Sequence, residues 1–173
     1  MAVLEIVHYP HEALTTPAKP VETFDADLAA FIDDMAETMY DADGVGLAAN
    51  QVAVLKRVTV IDTGDEDGPG LLEIVNPTIV ARSEEPILWQ EGCLSFPELF
   101  FDVKRAKEVT VEYFDRHGAP QRIEADGLLA VALQHEIDHL DGVVYIDRIG
   151  QVDRRLMLRK YRKRMSERPA SDA

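Results

Sequence analysis

The segment Gln134-His135-Glu136-Ile137-Asp138-His139 sets two imidazoles four residues apart with a carboxylate beside the first. On a helix, His135 and His139 project from one face a turn apart, close enough to hold a single metal ion. Glu136 then reaches a metal-bound water and moves its proton, which is the chemistry of metal-assisted hydrolysis. A solvated helix that happens to carry two histidines has the same spacing, so the surrounding pattern must decide. A catalytic centre of this kind needs three protein ligands and one open position. Glu167 is the only glutamate after the motif, and it lies in a basic segment. The better third ligand is the only thiol, Cys93, in Glu91-Gly92-Cys93-Leu94-Ser95-Phe96-Pro97. A thiolate suits borderline divalent metals, and Gly92 lets backbone come close to the site. A lone cysteine elsewhere is usually a small buried hydrophobe.

Positioning these groups requires a buried helix. Leu128, Leu129, Val131, Ala132, Leu133, Ile137 and Leu140 give a nearly all-round apolar run, with Asp126 as N-cap and Gly142 as the stop. Leu128, Val131 and Ala132 share the His135 face, so the site has an apolar wall beside it. Upstream, residues 4–22 read as irregular, and Asp25 opens a helix with Leu28, Phe31, Ile32, Met35 and Met39 on one face, ending near Gly44. Strand-like runs follow at Arg57–Asp62, Leu71–Asn76, Thr78–Ala81, Pro86–Gln90, Glu108–Asp115 and Gln121–Ala125. Val144–Ile149 reads as a short strand or loop, and a last helix begins near Val152. Meandering strands with few helices predict an α+β fold: antiparallel sheets packed around a central buried helix that carries the HExxH motif, with a C-terminal helix.

The 173 residues make one domain's worth of chain, 46% hydrophobic and 29% charged. No apolar run approaches a membrane span and no signal-peptide pattern follows Met1; with a single cysteine, this predicts a cytoplasmic protein that needs no membrane. Residues 1–153 carry 10 basic against 30 acidic residues, net −20, whereas residues 154–173 carry +6. We therefore expect a metallohydrolase domain at 1–153 with a basic helix and tail at 154–173 belonging to the same domain. The acidic body argues against DNA as a partner, while the basic segment could dock locally on RNA or suit its own helix dipole and the acidic body.

Gly44-Val45-Gly46-Leu47-Ala48-Ala49-Asn50-Gln51 is a further unusual string, permitting close backbone approach and ending in an amide donor. By itself it also reads as a helix stop followed by a tight turn. In order, GVGLAANQ, EGCLS and HEIDH resemble the three signatures of the peptide deformylase family at every fixed position, and IVHYPHEALTTPAKPV is similar to the family's opening.

The resemblance implies a hydrolase that removes the formyl group from the N-terminal formylmethionine of nascent polypeptides. Cys93, His135 and His139 would hold one divalent metal ion, Fe²⁺ natively, with Zn²⁺, Ni²⁺ or Co²⁺ possible. Glu136 would activate the metal-bound water, and the Gln51 amide with the Leu94 backbone N–H would stabilise the oxyanion. The methionine side chain would lie among Leu128, Val131 and Ala132, with Val45 opposite and Gly46 and Gly92 offering backbone. Glu91 and Arg105 are expected to pair structurally, and Phe100 and Phe101 to occupy a rim where some members carry a basic residue. A transient ribosome contact through Arg154–Arg168 also follows. Two other readings remain: a peptidase acting internally on chains, with an open groove, and an RNA-binding module with a degenerate site. The Gln51 string speaks against the first and an intact Glu136 against the second.

Overall fold

A computed structural model describes residues 2–168. After an irregular N-terminal stretch with one 3-10 turn at Glu12–Thr15, helix α1 spans Ala26–Asp41. Its N-cap is Asp25, whose carboxylate accepts from the Leu28 N–H at 2.9 Å. Leu28, Ile32, Met35 and Met39 are buried on one face and pack on strands β1 (Gly46–Ala48) and β2 (Val58–Ile61).

Five strands form an antiparallel sheet in the order β1-β2-β3-β6-β7, with β3 at Leu72–Arg82, β6 at Glu108–Phe114 and β7 at Pro120–Asp126. The two runs expected at 71–76 and 78–81 are one strand. Asn76 adopts φ 50° and the register shifts between Val75 and Thr78, so Pro77, which separates the two runs, sits at a bulge rather than a break. The Asn76 amide uses this kink to exchange two hydrogen bonds with the Val21 backbone.

Strands β4 (Pro86–Cys93) and β5 (Phe96–Ala106) make a separate two-stranded sheet. Neither β5 nor β1 was expected from the sequence. In β5 the alternation of Leu99, Phe101 and Val103 continues into a buried charge, Arg105, which hides the pattern. β1 is three residues of Gly-Leu-Ala with little strand propensity of their own. It forms because β2 pairs with it from Gly46↔Ile61 to Ala48↔Thr59.

Helix α2 (Gly127–Leu140) runs through the centre, and every residue from Ala130 to Leu140 is buried. Asp126 occupies the N-cap position, but its side chain makes no capping hydrogen bond. Gly142 ends the helix region at φ 78°, with the Thr15 carbonyl oxygen and Pro17 N each only 3.0 Å from where a Cβ would stand. The segment read as strand or loop at 144–149 is a 3-10 turn, Tyr145–Arg148.

Helix α3 (Gln151–Glu167) buries Leu158 and Tyr161 against Leu14, Phe96, Leu99 and Tyr145, with Met157 and Met165 partly buried beside them. The Tyr161 hydroxyl donates to the Tyr9 carbonyl at 2.7 Å. Leu156 faces outward. Residues 169–173 of the expected tail lie outside the described residues. Burial of two large side chains contributes about 1.5–3 kcal/mol each. Truncation after Asp153 is therefore expected to lower the urea midpoint measurably, and a docking function of α3 has to be tested by surface charge instead.

Candidate active site

The three donors of the sequence reading meet. Cys93 closes β4 at the mouth of a two-residue turn, where it pairs with Phe96 across the hairpin. His135 and His139 come from α2, their rings 5.0 Å apart. One ligand atom from each residue lies within 4.8 Å of the others, and among the described residues no other such His, Cys, Asp or Glu group converges. Cys93 Sγ stands 3.3 Å from His139 Nε2. A tetrahedral ion bonded to sulfur and imidazole nitrogen holds its donors roughly 3.5 Å apart, so the group fits one small divalent cation.

Electrostatics agree with that fit. Burial works against a charged His135, yet Cys93, the Glu91 carboxylate and Glu136 together hold its pKa well above the usual imidazole value. His139, buried and next to His135, is pushed well below it. The anionic groups around His135 thus favour positive charge at this place. Glu91 Oε1 lies 2.8 Å from His135 Nδ1. With a carboxylate acceptor there, Nδ1 carries the proton, and Nε2 is the nitrogen that would donate to a metal.

Glu136 is 5% exposed, and its Oε1 is 3.9 Å from His135 Nε2. Its Oε2 is buried with no hydrogen-bond partner among the described residues. Burial raises its pKa to about 7, and a cation held by the neighbouring donors would lower it. Such a group can both accept and return a proton near neutrality. Gly46 makes the space for it: a Cβ at this position would lie 2.8 Å from Glu136 Oε1. Gly46→Ala is expected to displace the carboxylate and cut kcat by as much as about 10²-fold, the cost of roughly 1 Å misplacement, while metal content stays at the parent level; steady-state kinetics alongside metal analysis would check this.

Gln51 sits on the 3-10 turn Ala49–Val52 and is 1% exposed. Its Oε1 accepts from the Ala48 N–H at 2.9 Å, which turns Nε2 toward Cys93 Sγ (3.6 Å) and Ser95 Oγ (3.2 Å). The amide donor therefore faces the same space as the metal donors.

A cleft of about 420 Å³ opens above these groups, and Val45, Gly46, Gly92, Leu94, Leu128, Val131 and Ala132 all line it with Gln51, Cys93, His135 and Glu136. Val131 and Ala132 are nearly buried, while Val45 is 38% exposed at the opposite lip. Gly92 has a reason beyond backbone access: a Cβ there would meet the Phe100 ring at 2.4 Å. Phe100 is the exposed rim residue. Phe101 is not; strand alternation turns it inward, where its ring stacks on Tyr145 at 4.3 Å. Trp89, Asp43 and Glu98 also line the cleft and were not foreseen.

The Glu91–Arg105 pairing stands and is larger than expected. Arg105 Nε and Nη2 grip Glu91 at 2.8 and 2.9 Å, and Nη1 reaches Asp138 at 2.7 Å, all nearly fully buried. Burial pushes the Glu91 carboxyl up, but the bonds to Arg105 and His135 outweigh it and hold the pKa at about 2. Asp138, Tyr145 (ring 5.6 Å from His135) and Ser95 are site neighbours that sequence spacing did not single out.

An antiparallel α+β frame holding a Cys/His/His group beside the buried Glu136 carboxylate, in a cleft with an apolar wall, defines a hydrolase class with room for one metal ion. Residues 3–155 match the family model described as polypeptide deformylase. The chain is 46% identical to the peptide deformylase of Rhizobium meliloti over 98% of both chains. It is 49% identical to that of Chromobacterium violaceum over 95% of this chain and 97% of the relative. Among solved structures, a peptide deformylase from Legionella pneumophila superposes with a TM-score of 0.87 at 44% identity, covering 97% of this chain and all of that one. One from Ehrlichia chaffeensis in complex with actinonin gives 0.89 at 39% identity over 98% of this chain and 100% of that one. The chain belongs to the polypeptide deformylase family.

Proposed function

We propose that the protein removes the formyl group from the N-terminal formylmethionine of nascent polypeptides, with Cys93, His135 and His139 as the ligands of one divalent metal ion. The observation that carries this reading is the convergence of those three donors beside Glu136 in a cleft with an apolar wall. When bound, the metal supplies Lewis acidity, lowering the pKa of water and polarising a carbonyl. Glu136 takes the proton of the attacking water as its oxygen bonds to the formyl carbon, and gives it to the nitrogen as the C–N bond breaks. Formate and a free methionyl amine result. Gln51 Nε2 and the Leu94 N–H would donate to the oxygen that becomes negative. Glu91 holds the His135 ring in place. Fe²⁺ is the native ion in this reading, and Zn²⁺, Ni²⁺ or Co²⁺ occupy the same donors.

Formyl-Met-Ala-Ser is expected to yield formate and intact Met-Ala-Ser. Cleavage between Met and Ala instead would support an internally acting peptidase and overturn the reading.

Leu128, Val131 and Ala132 hold the methionine side chain, with Val45 across the cleft. Val131→Phe fills that slot. It is expected to weaken use of formyl-Met substrates by about 1.5–3 kcal/mol, the value of burying the side chain, with metal content unchanged. Kinetics identical to the parent would place the side chain elsewhere.

The protein acts in the cytoplasm as one domain, residues 1–153 joined by the helix and tail at 154–173, and meets its substrate at the ribosome through Arg154–Arg168. Arg155, Arg159, Lys160, Arg162 and Lys163 are exposed on α3 while Leu158 and Tyr161 anchor it. Among the described residues no helix is long and apolar enough to cross a membrane. Replacing Arg155, Arg159, Arg162 and Lys163 with Gln is expected to abolish salt-sensitive co-sedimentation with ribosomes while hydrolysis of a free formyl tripeptide persists. Unchanged co-sedimentation would refute the docking.

A further inference from the structure

Five side chains form one ionic chain from solvent to the His135 imidazole. Arg148, at the end of the 3-10 turn Tyr145–Arg148, donates from Nε to Asp138 Oδ2 at 2.9 Å and from Nη2 to Oδ1 at 2.7 Å. The same Oδ2 accepts from Arg105 Nη1, Arg105 grips Glu91 with its other two nitrogens, and Glu91 meets His135 Nδ1. Only the outer member is open to solvent: the Arg148 side chain is 46% exposed, Asp138 9%, and Arg105 and Glu91 4% each.

We propose that Arg148 is a positioning residue for the metal site, bracing from the surface the separation between the strand that carries Cys93 and the helix that carries His135 and His139. The inference rests on the reading that these three residues hold the metal.

The donors come from two elements, and the chain ties those elements together. Glu91 lies two residues before Cys93 on β4. Asp138 lies between His135 and His139 on α2. Arg105, on β5 opposite Ile87 of β4, spans the gap. Arg105 makes one bond to Asp138, and a carboxylate held at a single oxygen can turn about its own axis. The Arg148 fork engages both oxygens and removes that freedom. Arg82, Lys104, Arg105, Gln134, Asp138 and Arg148 are among the residues that line a groove of about 260 Å³. Without the Arg148 guanidinium, Oδ1 loses its donor and water from this groove competes for Asp138 and Arg105.

Magnitudes separate positioning from plain stability. A half-exposed ion pair adds little to folding. Outer partners of a metal-ligating histidine, by contrast, typically change metal affinity by about 10–100-fold.

The test loads the parent, Arg148→Met and Arg148→Lys with Co²⁺, confirms one cobalt per chain, and follows cobalt loss to excess EDTA. It also records the visible Co²⁺ spectrum and the Tm of each metal-free protein. Arg148→Met is expected to lose cobalt about tenfold faster or more and to show shifted visible bands. Its metal-free Tm should stay within about 3 °C of the parent. Arg148→Lys should fall between, since one ammonium cannot pin both oxygens. Release at the parent rate with the parent spectrum overturns the proposal while leaving the metal reading intact. Faster release accompanied by a metal-free Tm many degrees lower overturns it too, as general destabilisation. A parent that holds no cobalt overturns the metal reading itself.

Discussion

Glu136→Gln is expected to keep its metal and lose most turnover, by roughly 10²–10⁴-fold or more. The amide has nearly the shape of the carboxylate, so packing on Gly46 and the burial of the residue are retained. What disappears is the group that accepts the proton. The three converging donor atoms do not include Glu136, which is why metal content should not change. Metal must be measured on the same sample, because a demetallated variant would imitate the result. Activity within about threefold of the parent would remove Glu136 from the mechanism.

Arg105→Met is expected to be the most destabilising single change in the site. It leaves the buried Glu91 without its arginine, while Asp138 keeps only Arg148. Breaking a buried pair in this way costs about 3–5 kcal/mol, enough to lower Tm by roughly 6–20 °C in a chain of this size. The pH dependence has a definite sign. In the parent the Glu91 pKa is depressed, from about 4.5 to about 2. Its contribution is therefore present above the unfolded value and is lost as pH falls through the folded one. In the variant only His135 is left to oppose burial, so the carboxyl is held down less and less of this contribution remains at neutral pH. The gap between parent and variant should be widest at neutral pH and narrow toward pH 3. Urea midpoints at pH 7 and pH 4 would check this; a gap that is flat with pH would mean that Arg105 acts by packing alone.

The parts legible in the sequence were those fixed by short-range geometry. His135 and His139 share a face because helical rise puts residues four apart together, and the apolar run around them announced a buried helix. Leu128, Val131 and Ala132 followed from the same periodicity. Cys93 could be named because it has no competing thiol. Arrangements set by strand register were not legible. β1 owes its existence to pairing with β2, and β5 carries near its end a buried arginine that no apolar pattern signals. The inward turn of Phe101 depends on which face of β5 meets the core. Asp138 looked like a spacer between two histidines, and Arg148 is ten residues further on around a 3-10 turn. Their roles appear only when strand, helix and turn are brought together.

The most direct test of the account is an anaerobic titration of metal-free protein with Fe²⁺, following formate release from formyl-Met-Ala-Ser. Formate release should rise linearly from near zero and level off at one iron per chain, as a single Cys93/His135/His139 centre requires. Formate release that is independent of added metal, or that saturates at a different stoichiometry, would contradict it.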